Sequence, residues 1–166
     1  MINQNKINEL LFIKGFILGF KIKKKDSDIL KNLIISKINK KLKSKKLNKK
    51  NFKKYNLIVE KDFHKKFFSN LKNRTFDLND LRSFNKLSIN NDLLKFFGKF
   101  KFQNLYQTRH KSAEINFRVV TPDENKITAA HKDNWFYICN NIKKDKKLFY
   151  IKCWLPLIFE KNKNGL

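Results

Sequence analysis

The sequence predicts an α+β chain in a single domain, helical in front and strand-rich behind, on three observations. Apolar residues recur at helical spacing from about residue 27. The texture changes near residue 112, where alternating and β-branched runs replace the helical ones. The length of 166 residues and the 41% hydrophobic content suit one ordinary core. With 14% aromatics, the composition excludes a disordered tail. The domain therefore divides into a helix-rich, basic part over 1–111 and a strand-rich part over 112–166.

Residues 1–10 are polar and read as a frayed end. Phe12 to Ile22, FIKGFILGFKI, is rich in strand formers with two glycines and reads as a short strand or turn–strand. Asp26 offers an N-cap, and Ile29, Leu30, Leu33, Ile34 and Ile38 follow at helical spacing, which predicts a helix from about Ser27 to Lys41. Residues 40–54, KKLKSKKLNKKNFKK, read as a solvated loop or helix face, with an anion-binding patch as the alternative. Leu57–Val59 reads as a strand. Asp62 to Leu71 reads as a short helix that turns Phe63, Phe67, Phe68 and Leu71 inward. Helical stretches follow at Leu78–Arg82 and Asn91–Phe97, the second stopped by Gly98. Strand-like runs then cover Ile115–Val120, Ala129–Ile138 and Leu148–Phe159. Pro122 and Asp123 punctuate the first gap, and lysine-rich residues 141–147 the second. There is no internal repeat.

The net charge of +25 points first to nucleic acid or an anionic surface. Two features argue against a specific nucleic-acid role. All but four of the 39 basic residues are lysine, the exceptions being Arg74, Arg82, Arg109 and Arg118. Base-reading surfaces lean on the planar fork of arginine. Lys, Asn, Ile and Phe are also inflated together, and these are the residues with AT-rich codons. A salt-sensitive, nonspecific affinity for polyanions follows from the charge alone. Cys139 and Cys153 lack zinc or redox spacing and read as reduced thiols in a cytoplasmic protein. The apolar run Leu11–Phe20 is about half the length of a membrane span and is broken by Lys14. It also lacks the basic n-region and small-residue cleavage site of a signal peptide.

The segment with legible chemistry is TAAHKDNWF, residues 128–136. On a strand, residues i and i+2 point to the same side, so the imidazole of His131 and the carboxylate of Asp133 project together. They supply two-thirds of the 2-His-1-carboxylate triad that holds non-haem Fe(II) and leaves open positions for a co-substrate and dioxygen. Alone, an H-x-D pair on a strand is more often surface polarity than metal chemistry. Its surroundings add to it. The pieces NFRVVTP (116–122), AAHKDNWF (129–136) and KCWLPLIFEKNKNGL (152–166) resemble the phytanoyl-CoA dioxygenase-like branch of the Fe(II)/2-oxoglutarate oxygenases. HKDNWF and WLPL are most similar to members from carbohydrate-assembly gene clusters. The resemblance covers residues 112–166, with an echo in GFILGFKI and the helix after it.

The resemblance implies that the strands begin a double-stranded β-helix, or jelly roll, with helices packed outside. It implies Fe(II) held by His131 and Asp133, 2-oxoglutarate as co-substrate with dioxygen, and hydroxylation of a small molecule, a carbohydrate or sugar-linked compound among the candidates. Asn116 and Arg118 share one face of their strand, and Lys152 and Trp154 one face of theirs. With those faces turned to the site, Lys152 and Asn116 become candidates for holding the co-substrate. Arg118 becomes an anchor for substrate, and Trp135 a pocket wall. The alternatives stay open: core aromatics at Trp135 and Trp154, surface charges at Arg118 and Lys152.

Two family features are missing. No histidine follows His131 to complete the triad, and no arginine follows Arg118 to clamp the co-substrate. His64 and His110 lie upstream and read as structural or surface residues. The sequence stops at Asn164-Gly165-Leu166, where the family's Pro-Gly-Ser-His segment would begin, so the expectation is a truncated oxygenase, inactive as it stands. The competing readings are a catalytically incomplete basic protein that binds nucleic acid or another polyanion, and a cupin-like metal protein that does not use 2-oxoglutarate.

Overall fold

The computed structural model describes residues 20–100, 115–121, 151 and 153–158, together with Glu9. Between residues 20 and 100 the helices are α1 (Lys24–Asn39), α2 (Tyr55–Ile58), α3 (Lys61–Ser69), α4 (Leu71–Arg74), α5 (Leu78–Asn85) and α6 (Ile89–Phe97). A single 3-10 turn, Phe52–Lys54, leads directly into α2. Helix α1 forms because its apolar residues recur every fourth position. Leu30, Ile34 and Ile38 stand in one buried row with Ile35 beside it, and Ile38 is fully buried. Each such side chain contributes about 1.5–3 kcal/mol through the area it removes from water. Helix α1 packs against α4 and α5.

The helix ends show why these elements stop where they do. Asp26 was expected to cap α1; instead Lys23 occupies the N-cap without a side-chain bond, and Asp26 lies in the first turn. It is 2% exposed and turns toward α6, accepting hydrogen bonds from the Ser88 hydroxyl (2.7 Å) and the Ile89 backbone N–H (3.2 Å). At the other end of α1, the Asn39 side-chain amide pairs with both backbone groups of Leu47, at 2.8 and 2.9 Å. The Lys46 ammonium donates to the carbonyls of Asn39 and Leu42, where the helix dipole is negative. Helix α5 opens on a capping box in which Asp77 accepts from the N–H groups of Asn79 and Asp80, while Asp80 accepts from that of Asp77. Lys37 of α1 lies 3.3 Å from Asp80 and 3.8 Å from Asp77, tying the two helices. Helix α6 ends at Gly98, whose φ of 72° suits a residue without a Cβ and whose N–H bonds back to Leu94.

The expected strand at Leu57–Val59 does not form: Leu57 and Ile58 close helix α2, and Val59 is its C-cap. Tyr55 and Val59 are both buried, and the Val59 N–H bonds back to the Tyr55 carbonyl as the helix ends. The aromatic residues form much of the core. Phe76 packs against Phe84 at 4.9 Å between ring centroids and against Phe117 at 5.3 Å; Phe117 also meets Phe67 and Phe68. His64 is buried, with its Nδ1 3.0 Å from the Tyr55 hydroxyl, and so has a structural setting.

The expected α+β class, with helices leading into the first strands of a jelly roll, is not what forms. Of the described residues 55% are helical and 2% lie in strand, with no sheet among them. Among the described residues one β-bridge forms, joining Thr75 to Asn116 in antiparallel sense. Ile115–Val120 does alternate, with Phe117 buried between exposed Asn116 and Arg118. That alternation reports one buried side, not a neighbouring strand. The buried side is a helical surface, so the pattern is satisfied without a ladder. In the run expected over Leu148–Phe159, the described residues 151 and 153–158 form no strand. The run Ala129–Ile138 lies outside the described residues, as do residues 12–19 of the expected strand at Phe12–Ile22; its described residues, 20–22, form no strand.

Candidate functional site

The described part of the candidate site is the extended segment 115–121, and its position is set by the short link between α4 and α5. Thr75 and Phe76 leave α4 in an extended path. The Phe76 N–H donates to the Ile115 carbonyl and the Phe117 N–H to the Arg74 carbonyl, each at 2.9 Å. These bonds flank Thr75 and Asn116, making them a non-hydrogen-bonded pair, the arrangement that brings opposed side chains closest. The Thr75 hydroxyl accordingly bridges the Leu71 carbonyl (2.7 Å) and the Asn116 side-chain amide (2.5 Å). Phe117 then inserts among Phe67, Phe68 and Phe76 and fixes which side of the segment faces inward.

One consequence concerns two of the candidate residues. With Phe117 buried, Asn116 and Arg118 both lie on the exposed side, the shared face that strand alternation implies. The Asn116 amide is engaged by Thr75, whereas the Arg118 side chain extends from the outer side of the segment. His131, Asp133, Trp135 and Lys152 lie outside the described residues. Trp154 is 60% exposed and does not serve as a core aromatic. Among the described residues no three His, Cys, Asp or Glu side chains converge in a metal-binding group. Nor is any helix there long and apolar enough to cross a membrane.

The second notable surface is electrostatic. All nine lysines between residues 40 and 54 are exposed, while Leu42, Leu47 and Phe52 anchor the stretch to the core at near-regular intervals. No Asp or Glu occurs between Asp28 and Glu60. Lys49 reaches Asp28 at 3.9 Å in an exposed pair of little energetic weight.

Sequence reasoning missed Thr75 and Phe76 as the docking site for the later segment. A β-branched residue followed by an aromatic, set between two short helical runs, was the available signal. No protein-family model, curated protein or solved structure matches the chain.

Proposed function

We propose that the chain is part of a cytoplasmic non-haem Fe(II)/2-oxoglutarate-dependent dioxygenase that hydroxylates a small molecule, with a carbohydrate or sugar-linked compound as the substrate class. The observation that carries this reading is the His131-x-Asp133 pair, preceded by the arginine-bearing NFRVVTP and followed by the tryptophan-bearing KCWLPL. One imidazole and one carboxylate suit a hard-to-borderline ion such as Fe(II), and in this class the bound iron and the 2-oxo acid supply the oxidising chemistry. The chain's own task is to bind and orient. His131 and Asp133 hold the metal, Lys152 and Asn116 help retain the co-substrate carboxylate, Arg118 anchors an anionic or hydroxylated substrate, and Trp135 walls the pocket. The exposed side of 115–121 supports the role given to Arg118, because its guanidinium is not spent on the helical core. The engagement of Asn116 with Thr75 makes it the weaker of the two candidates. The 166 residues contain no histidine after His131 and no arginine after Arg118, so a complete triad and clamp require residues from outside them.

The test is Fe(II) binding and succinate formation from 2-oxoglutarate by the full product of the reading frame. Both are expected to collapse in His131→Ala and in Asp133→Ala and to survive substitution of Lys43 and Lys45. Iron binding that persists in both site variants would sink the reading. The competing polyanion-binding reading predicts steeply salt-dependent binding that His131→Ala leaves unchanged.

A further inference from the structure

We propose that the basic surface from Lys40 to Leu57 attaches the protein peripherally to an anionic lipid bilayer, with Leu57 as the residue that enters the interface. The inference rests on the described surface and not on the iron-site reading, and the two stand or fall separately. Its first support is charge: nine exposed lysines in fifteen residues, without an acidic residue between Asp28 and Glu60. Such a cluster matches an anionic leaflet, where each lysine near the surface strengthens attachment about fivefold.

The second support is Leu57. It is 78% exposed, although Phe52, Tyr55 and Val59 around it in sequence are buried. A single exposed leucine is ordinary on a protein surface. This one has cations one helical turn before it. Along the helical stretch 52–58, Lys53 and Lys54 precede it by four and three residues, so both are its neighbours on the helix surface; the helix ends at Ile58, and the chain runs on through Val59 and Glu60 in extended backbone. An apolar knob beside a dense run of lysines fits an interface with charged headgroups outside and acyl chain beneath.

The same residues disfavour nucleic acid. Phe52 and Tyr55, the aromatics of the stretch, are turned into the core and offer no face on which a base could stack. There is no arginine between 40 and 61 to fork a phosphate or read a base edge. Leu57 has no role against a phosphate backbone.

The experiment is co-sedimentation of the intact chain with phosphatidylcholine vesicles, with and without phosphatidylglycerol, across a salt series. Binding is expected only to vesicles containing phosphatidylglycerol, and it should weaken as salt rises. Leu57→Asn is expected to weaken binding about tenfold with the salt slope unchanged. Lys53→Gln with Lys54→Gln is expected to weaken it and flatten the slope. All three side chains are exposed, so circular dichroism should show the variants folded. Binding to phosphatidylglycerol vesicles that is indifferent to Leu57→Asn overturns the proposal. So does an absence of vesicle binding, or tighter binding to single-stranded RNA than to the vesicles under the same salt.

Discussion

Residues 20–100 and the two later segments are held by different means. In the front region, polar side chains close helix ends locally or tie one helix to another: Asn39 onto Leu47, Asn70 onto Lys72, Asp77 onto Asn79 and Asp80, and Asp26 across to Ser88 and Ile89. The segment 115–121 is held by two backbone hydrogen bonds, the Thr75–Asn116 side-chain contact and the buried Phe117 ring, with Ile115 and Val119 packed half-buried against the core. In 151–158, Ile151, Trp154, Leu155 and Ile158 are exposed. The difference follows from where each kind of element finds its hydrogen bonds. A helix satisfies its backbone within its own sequence, so an amphipathic pattern nearly suffices to specify it. A strand must borrow partners from elsewhere in the chain, so an alternating pattern specifies a strand only if another strand is present.

The sharpest way to break this comparison is Phe117→Ala. If the Phe117 ring is the main tie of the later segment to the helical body, its removal costs about 3–5 kcal/mol, the usual range for a buried aromatic truncated to alanine. Chemical denaturation would measure it. The adjacent exposed Arg118→Ala is the control, expected to shift stability by less than about 0.5 kcal/mol. Equal, small effects from both would mean that the segment adds nothing to the stability of the body.

Asp26→Ala probes the front region's own cross-link. It leaves the Ser88 hydroxyl and the buried Ile89 N–H without their acceptor, at an expected cost of about 1–3 kcal/mol in urea unfolding. Asp26→Asn keeps an acceptor oxygen and should recover part of the loss. Hydrogen exchange offers a second readout: amides at the start of α6 should lose protection in the alanine variant more than those in the middle of α3. Uniform loss across both helices would show that Asp26 serves the whole core and not the α1–α6 junction.

How much of this was legible depended on whether the signal was local. Ile34 and Ile38 announced the buried face of α1, and Gly98 the end of α6, because periodicity and a left-handed stop act over a few residues. Asp26 read as a cap and does act as one, but on a helix that begins 63 residues later; nothing in the adjacent sequence encodes that distance. The asparagines read as compositional bias, yet Asn39, Asn70 and Asn73 each bond to the backbone at or beyond a helix end. Bias in composition and use in structure are not exclusive, since a side-chain amide both donates and accepts wherever the backbone needs either. For the candidate site, alternation was enough to place Asn116 and Arg118 on one face. It could not reveal that Thr75 would engage the first and leave the second extending outward, because that depends on a residue 41 positions away.

The smallest expected effect belongs to Asp77, which tests whether the front region's caps have the local, additive character argued for them. Partial burial pushes the Asp77 carboxyl up, but the Asp80 N–H, the Lys37 ammonium and the Asn79 N–H outweigh it, and its pKa lies below the ordinary value. A carboxyl with a folded-state pKa below its unfolded one adds stability once pH exceeds the unfolded value. That contribution is lost as pH falls through the folded value. Asp77→Ala should therefore cost about 1 kcal/mol at neutral pH, as removal of an N-cap does. The gap between variant and wild type should narrow as acid protonates Asp77 in the wild-type chain. Because the side chain is about half exposed, the Lys37 share of the effect should shrink in high salt, while the share from the two backbone N–H groups persists. A gap that stays constant into strong acid would assign the role of Asp77 to the shape of the turn and remove charge from the account of how α5 begins.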